Sequence, residues 1–304
     1  MDFGVSKRVL IIALAVLALI YFFKLTSSDA FQINPQTLLN TVSSDKNAAS
    51  TNTHDLITNK VAVITDTQYS PRLVPLILHY HAVLGPDWPI VFYTSEETLE
   101  KHFNPESANT SAIWNRAVQD GSIQIRPVPA EFNLTSRDGV NIYLSRPWLW
   151  EQLAPAQHVL VFQTDAILCG NSYRTMDDFL EWDFIGAPIH DKEHLYNGGL
   201  SLRNRTMLLD ILNDGGNWEE ETKSGKWTMG GEDVWFSKRM DQRGAHLPSN
   251  SVGLTFACEY SWNFHGRMEP LGFHKVHKNA ADKLEEIADW CPEIALAAPG
   301  KLAG

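Results

Sequence analysis

The stretch from Lys60 to Thr94 sets the fold class. Val61 to Thr65 (VAVIT) is β-branched and bounded by polar residues, the pattern of a buried strand. Pro71 and Pro75 then open LVPLILHYHAVL, which is apolar on nearly all sides, as expected of a helix packed on a sheet. Trp88 to Thr94 (WPIVFYT) supplies the second strand. Strand, helix, strand in that order predicts parallel βαβ units, and a doubly wound sheet offers its ligand sites beyond the C-terminal ends of its strands.

The pattern recurs downstream. Ser122 to Pro127 reads as a strand, and SRPWLWEQLA as a helix with Pro147 near its first turn. His158 to Phe162 (HVLVF) is a buried-strand pattern that delivers Gln163, Thr164 and Asp165 to the C-terminal edge. A carboxylate there can hold a hard divalent cation, and the cation in turn can bind a diphosphate. The plainer reading of Asp165 is a cap on the following turn.

Two later constellations carry chemistry. Asn197-Gly198-Gly199 reads first as a turn leading into a short LSL strand. In a functional reading, the two glycines let backbone approach a bound sugar and Asn197 hydrogen-bonds a hydroxyl. Gly230 and Gly231 form a loop before a helix whose first turn holds Glu232 and Asp233. Acids there complement the helix dipole, and a carboxylate on such a rigid perch can also serve as a general base. Nearer the C-terminus His274, His277 and His265 are available as imidazole ligands or as plain surface histidines.

Composition removes some function classes. A net charge of −11 and the lack of a basic stripe argue against nucleic-acid binding. No Pro- or Gly-rich linker breaks the chain after residue 60, so a single α/β domain is expected. Cys169, Cys258 and Cys291 permit one disulfide, leave one thiol over and offer no zinc spacing.

Val9 to Phe23 is entirely apolar or aromatic, with Lys7 and Arg8 before it and Lys24 after it. It reads as a signal-anchor, with a cleavable signal peptide ending near Ser28-Asp29-Ala30 as the alternative. Retained Lys7 and Arg8 would place the remainder in the lumen, and sequons at Asn109, Asn133 and Asn204 suit that side. Residues Thr26 to Asn59, rich in Ser, Thr, Asn, Asp and Ala, read as a flexible stem.

From about Lys60 to about Lys278 these constellations, in this order, resemble the nucleotide-sugar-dependent glycosyltransferases of the GT-A fold. A closer resemblance is to an uncharacterised, mainly fungal GT-A-like set. The resemblance implies a Rossmann-related, mixed and mostly parallel sheet flanked by helices. It also implies that Asp165 is the final acid of an Asp-x-Asp motif that binds Mn²⁺ or Mg²⁺ and the donor diphosphate. The first acid of that motif is Gln163 here, a neutral amide and a weak ligand. By the same resemblance Gln163, Thr164, Asp165 and Asp66 serve the donor, and Asn197 to Gly199 with Gly230 and Gly231 serve sugar and acceptor. Asp233 is then the base, Glu232 an acceptor or sugar contact, and His274 the late metal ligand ahead of His277 and His265.

The expected arrangement is a cytosolic tail (1–8), an anchor (9–25), a stem (26–59), a catalytic domain (60–280) and a C-terminal extension (281–304). This would be a single-pass type II protein of the Golgi or ER membrane. The expected reaction is inverting transfer from a nucleotide-sugar, a UDP-sugar by expectation, to a hydroxyl on a glycan, protein or lipid acceptor. Retaining transfer on the same fold, or a non-catalytic carbohydrate-binding scaffold, are the alternatives. The adjacent Glu232 and Asp233 cannot flank one bond as a glycosidase requires.

Overall fold

A computed structural model of the chain describes residues 56–104, 111–189, 194–260, 262 and 269–300. The apolar run 9–23, residues 26–55 of the expected stem, Asn109 and His265 lie outside the described residues. Among the described residues no helix is long and apolar enough to cross a membrane.

The first elements are β1 (Lys60–Thr65), α1 (Leu73–Leu84), β2 (Ile90–Thr94), α2 (Ala112–Gln119), β3 (Ile123–Pro127), α3 (Arg137–Leu144), α4 (Pro147–Gln152) and β4 (His158–Phe162). Then follow β5 (Ala166–Leu168), β6 (Phe184–Pro188), β7 (Tyr196–Asn204), α5 (Arg205–Asn213), α6 (Trp218–Lys223), α7 (Glu232–Gln242) and α8 (Asn250–Phe256). The chain closes with β8 (Ala257–Cys258), β9 (Gly272–His274), α9 (Val276–Asn279), α10 (Leu284–Trp290) and α11 (Ile294–Ala297). Local chemistry sets several boundaries. Ser136 caps α3 by accepting from the Gly139 N–H, and Pro147, with no N–H to lose, occupies the first turn of α4.

Six strands form the central sheet in the order β3-β2-β1-β4-β7-β6. The first four run parallel, while β7 is antiparallel to both its neighbours. The expected mixed, mostly parallel sheet flanked by helices is therefore present. Both faces are covered, which is why the strands read as continuous apolar runs. Ala62 and Ile64 pack with Leu73, Ile77 and Tyr80 on one face, and Val61 and Val63 with Tyr143, Trp150 and Trp235 on the other.

A three-stranded sheet, β5-β9-β8, stands beside the first. Its pairings set Ala166 opposite His274 and Cys258 opposite Phe273. Residues 281–298, expected as an extension, pack into the core through Leu284, Ile287, Ile294 and Ala297. They are stapled there by a Cys169–Cys291 disulfide, leaving Cys258 as a buried thiol. Order also starts before Lys60, because Ile57 is buried in the other core layer.

Asn197-Gly198-Gly199 is not the turn its composition suggests. The three residues lie inside β7, where the β6 register shifts between Gly186 and Pro188. The three residues bulge between the Ser201–Gly186 and Tyr196–Pro188 pairs, and the ladder with β4 begins at Leu200, so the glycines form an irregularity within the strand instead of a separate turn.

Candidate functional site

Beyond the C-terminal ends of β1 and β4 lies a cavity of about 320 Å³. Thr65, Asp66, Thr67 and Gln68 line one side and Gln163, Thr164 and Asp165 another, with Leu134 and the Val140, Tyr143 and Leu144 side of α3 opposite. Asp66 Oδ1 accepts from the Gln68 N–H at 2.8 Å, and burial raises its carboxyl above the ordinary range against the opposing effects of that N–H and Arg72. Arg72 Nη1 donates to the carbonyls of Thr164 (3.0 Å) and Leu296 (3.2 Å), tying the turn after β4 to the C-terminal segment. The Tyr143 hydroxyl meets Thr65 Oγ1 at 3.1 Å, and burial pushes its phenol well up.

A second cavity of about 370 Å³ adjoins the first and shares Leu134, Val140, Leu144 and Gln163 with it. Its other walls are Arg137 and Asn141 of α3, Asn197 to Gly199 of β7, Glu232 and Asp233 of α7, and Glu259, Tyr260, His274 and Lys275. Gln163 sits at the junction, its N–H bonded to the Gly199 carbonyl at 2.9 Å.

The two acids at the start of α7 have different surroundings. Asp233 is half-buried, with Oδ2 accepting from the Gly198 N–H at 2.9 Å and Oδ1 from the Val234 N–H at 2.8 Å. Glu232 turns inward into a bidentate pair with the buried Arg203, at 2.9 and 3.2 Å. Burial raises the Glu232 carboxyl, the guanidinium opposes the rise and Asp233 adds to it. Gly230 has φ +146°, a glycine region, and its carbonyl accepts from both Trp218 and Trp227 indole N–H groups, fixing the loop ahead of α7.

His274 and Asp165 come together because β9 pairs with β5 and the Lys275 N–H bonds the Asp165 carbonyl at 2.8 Å. His274 Nε2 is 3.3 Å from Asp165 Oδ1, and Nδ1 is 3.5 Å from Glu259 Oε2. Burial alone would push the Asp165 carboxyl up, but His274, then Lys275 and His277, hold it at about 2. Burial works against the His274 imidazolium, and the two flanking carboxylates outweigh it and raise its pKa. The glycines of β7 serve this packing. A Cβ on Gly199 would stand 2.1 Å from His274 Nε2, and one on Gly198 2.4 Å from Arg203 Nη2. Their open side thus faces the chain's own His274 and Arg203.

These donors can be tested against a divalent cation. Adjacent ligands of an octahedral ion with bonds of about 2.1 Å stand about 3 Å apart. The 3.3 Å between Asp165 Oδ1 and His274 Nε2 suits that spacing, and Nε2 has no hydrogen-bond partner among the described residues. Asp165 and His274 therefore fit as two ligands. Among the described residues no group of three or more His, Cys, Asp or Glu converges. The set suits an ion that keeps water and substrate oxygens in its remaining positions. His277, on α9, is near enough to act on Asp165 by charge.

Arg137, Asn141, Tyr143, Gln68 and Glu259 line the cleft without a sequence signal that marks them. Asn141 Oδ1 accepts from the Glu232 N–H at 3.3 Å, a contact between residues far apart in the chain.

A family model described as a protein of unknown function, DUF5672, matches residues 122–274. No curated protein matches the sequence. Solved structures similar to it include the glycosyltransferase GlyE of Streptococcus pneumoniae TIGR4, at 11% identity over 74% of this chain and 56% of that one, with a TM-score of 0.46. The mannosyltransferase PcManGT of Pyrobaculum calidifontis, solved in complex with GDP-Man and Mn²⁺, is 9% identical over 79% of this chain and 69% of that one, TM-score 0.41. A glycosyltransferase involved in glycosylation of the major capsid of PBCV-1 is 12% identical over 76% of this chain and 100% of that one, TM-score 0.45. The chain spans about half the length of the GlyE structures.

Proposed function

We propose that this chain, which belongs to the DUF5672 family, is a glycosyltransferase that takes a sugar from a nucleoside-diphosphate sugar to an acceptor hydroxyl with inversion. The observation that carries the reading is one continuous cleft with Asp165 and His274 beneath it, Gln163 at its waist and Asp233 on its far wall.

The nucleoside lies in the first cavity beside Tyr143 and Thr65, and the sugar in the second, facing Asn197 and Asp233. Asp233 is oriented by two backbone N–H groups and takes the proton of the acceptor hydroxyl. That oxygen then bonds the anomeric carbon as the bond to the diphosphate oxygen breaks, and the electron pair leaves with the diphosphate. Asp165 and His274 would hold Mn²⁺ or Mg²⁺, which when bound neutralises the departing diphosphate. Glu232 supports this wall through Arg203. The apolar run 9–23, with Lys7 and Arg8 before it, supports a further proposal, a tether to a Golgi or ER membrane with the cleft on the lumenal side.

Asp233→Asn tests the reading. Transfer from a panel of UDP- and GDP-sugars should fall by at least ~10²-fold, the lower end for a lost general base. Nucleotide affinity by calorimetry should stay unchanged. Full activity in that variant removes Asp233 as the base, and no nucleotide binding at millimolar UDP or GDP by the unaltered protein removes the transferase reading. NMR of the product anomer separates inversion from retention.

A further inference from the structure

The small sheet β5-β9-β8 brings three acid or imidazole side chains into one row, each from the end of a different strand. Asp165 precedes β5, His274 ends β9, and Glu259 follows β8. Because Ala166 pairs with His274 and Cys258 with Phe273, the register alone sets the two carboxylates on opposite sides of the imidazole.

The side chains of His274 and Glu259 are each 1% exposed, against 20% for Asp165. Among the described residues His274 Nδ1, His274 Nε2 and Glu259 Oε2 have no hydrogen-bond partner. Glu259 is nonetheless anchored, since its Oε1 accepts from Asn279 Nδ2 of α9 at 2.8 Å. A buried carboxylate aimed at an imidazole and fixed by its other oxygen is a directed group. Left alone in a low dielectric it would be strongly unfavourable, so it needs a positive or proton-donating partner.

We infer that Glu259 is a positioning residue that holds the Nδ1–H of His274, so that Nε2, once its proton has left to solvent, presents its lone pair beside Asp165 Oδ1 as half of a two-donor cation site. This rests on the reading of Asp165 and His274 as the cation's ligands. Imidazole ligands are oriented by a carboxylate or carbonyl on their second nitrogen, which fixes the tautomer and raises ligand basicity. The ring has little freedom otherwise, because the Gly199 backbone closes on Nε2 so tightly that a Cβ there would lie at 2.1 Å.

The test titrates the full chain with Mn²⁺ alone, reading the free ion by electron paramagnetic resonance. The proteins are the unaltered chain, Glu259→Gln, Glu259→Leu and Glu259→Asp, each first shown folded by its melting curve. Affinity for UDP or GDP without metal is measured on the same samples. Glu259→Gln should weaken Mn²⁺ binding by about 10-fold and Glu259→Leu by up to about 100-fold, the range for groups that orient a ligand. Glu259→Asp should recover part of the loss, and metal-free nucleotide affinity should not move. Unchanged Mn²⁺ affinity in folded Glu259→Gln and Glu259→Leu overturns the inference and leaves the transferase reading intact. Loss of Mn²⁺ and nucleotide binding together overturns it too, as a general collapse of the cleft. If the unaltered protein binds no Mn²⁺, the inference and the cation both fall, and the donor reading then rests on the nucleotide measurement.

Discussion

Arg203 and Glu232 meet as a bidentate ion pair between β7 and α7, with 0% and 3% of their side chains exposed. The guanidinium also lies over Phe184 at 4.8 Å and donates to the Gly198 carbonyl. One of the two acids in the first turn of α7 is thus committed to joining the helix to the sheet.

Removing one partner would strand a buried charge. Glu232→Ala should lower stability by about 3–5 kcal/mol, read from urea unfolding. Arg203→Met combined with Glu232→Leu should regain most of that, since two apolar groups of similar volume need no counter-charge. An exposed, purely substrate-binding Glu232 would show the reverse pattern, with activity lost and the unfolding midpoint unmoved.

Gly199→Ala places a methyl carbon 2.1 Å from His274 Nε2, too close for the buried imidazole to keep its place. We expect the imidazole to be displaced and the protein destabilised by about 1–3 kcal/mol, the usual range for overpacking. Mn²⁺ affinity should fall in parallel. Gly199→Ala with His274→Ala should regain stability but not metal affinity, as judged by melting curves and metal titration together.

The strands and Asp165 were readable from the chain because both depend on local pattern. A strand buried on two faces is a continuous apolar run, and the residue after it lies at the sheet's edge. Glu259 was not, since it touches His274 through the pairing of two strands only two or three residues long. Nor did Gly198 and Gly199 disclose their use. A glycine pair is a turn in isolation, and only the opposing Arg203 and His274 make it a notch in a strand. The partner of Glu232 was equally hidden, because Arg203 stands with Asn204 and Arg205 at the polar end of the LSL run and nothing local marks its guanidinium as inward.

Cys169 and Cys291 are 122 residues apart, so the disulfide between them closes a long loop. Loop-closure entropy for such a length is about 4–5 kcal/mol. Cys291→Ser should therefore lower the melting temperature markedly. The same change should weaken nucleotide binding, because Arg72 links Leu296 of this segment to Thr164 under the first cavity. Calorimetry with UDP and GDP on the folded variant reads the second effect.

Glu221 of α6 gives a pH signature that is independent of the cleft. Its Oε2 accepts from the Trp235 indole at 3.1 Å and from Arg239, and Lys226 is 3.7 Å from its other oxygen. Burial raises its carboxyl, but Trp235, Arg239 and Lys226 outweigh that and hold it below the ordinary value of 4.5. The unfolded chain then binds the proton more readily than the folded one, so this stabilisation is present above pH 4.5 and fades as pH falls through the depressed folded value. Glu221→Gln should lower stability at pH 7 by about 1.5–3 kcal/mol, the range for hydrogen bonds to a charged group. Urea unfolding from pH 7 to pH 3 should show the two curves converging on the acid side. Curves that stay parallel across that range would mean that the carboxylate's charge contributes nothing there.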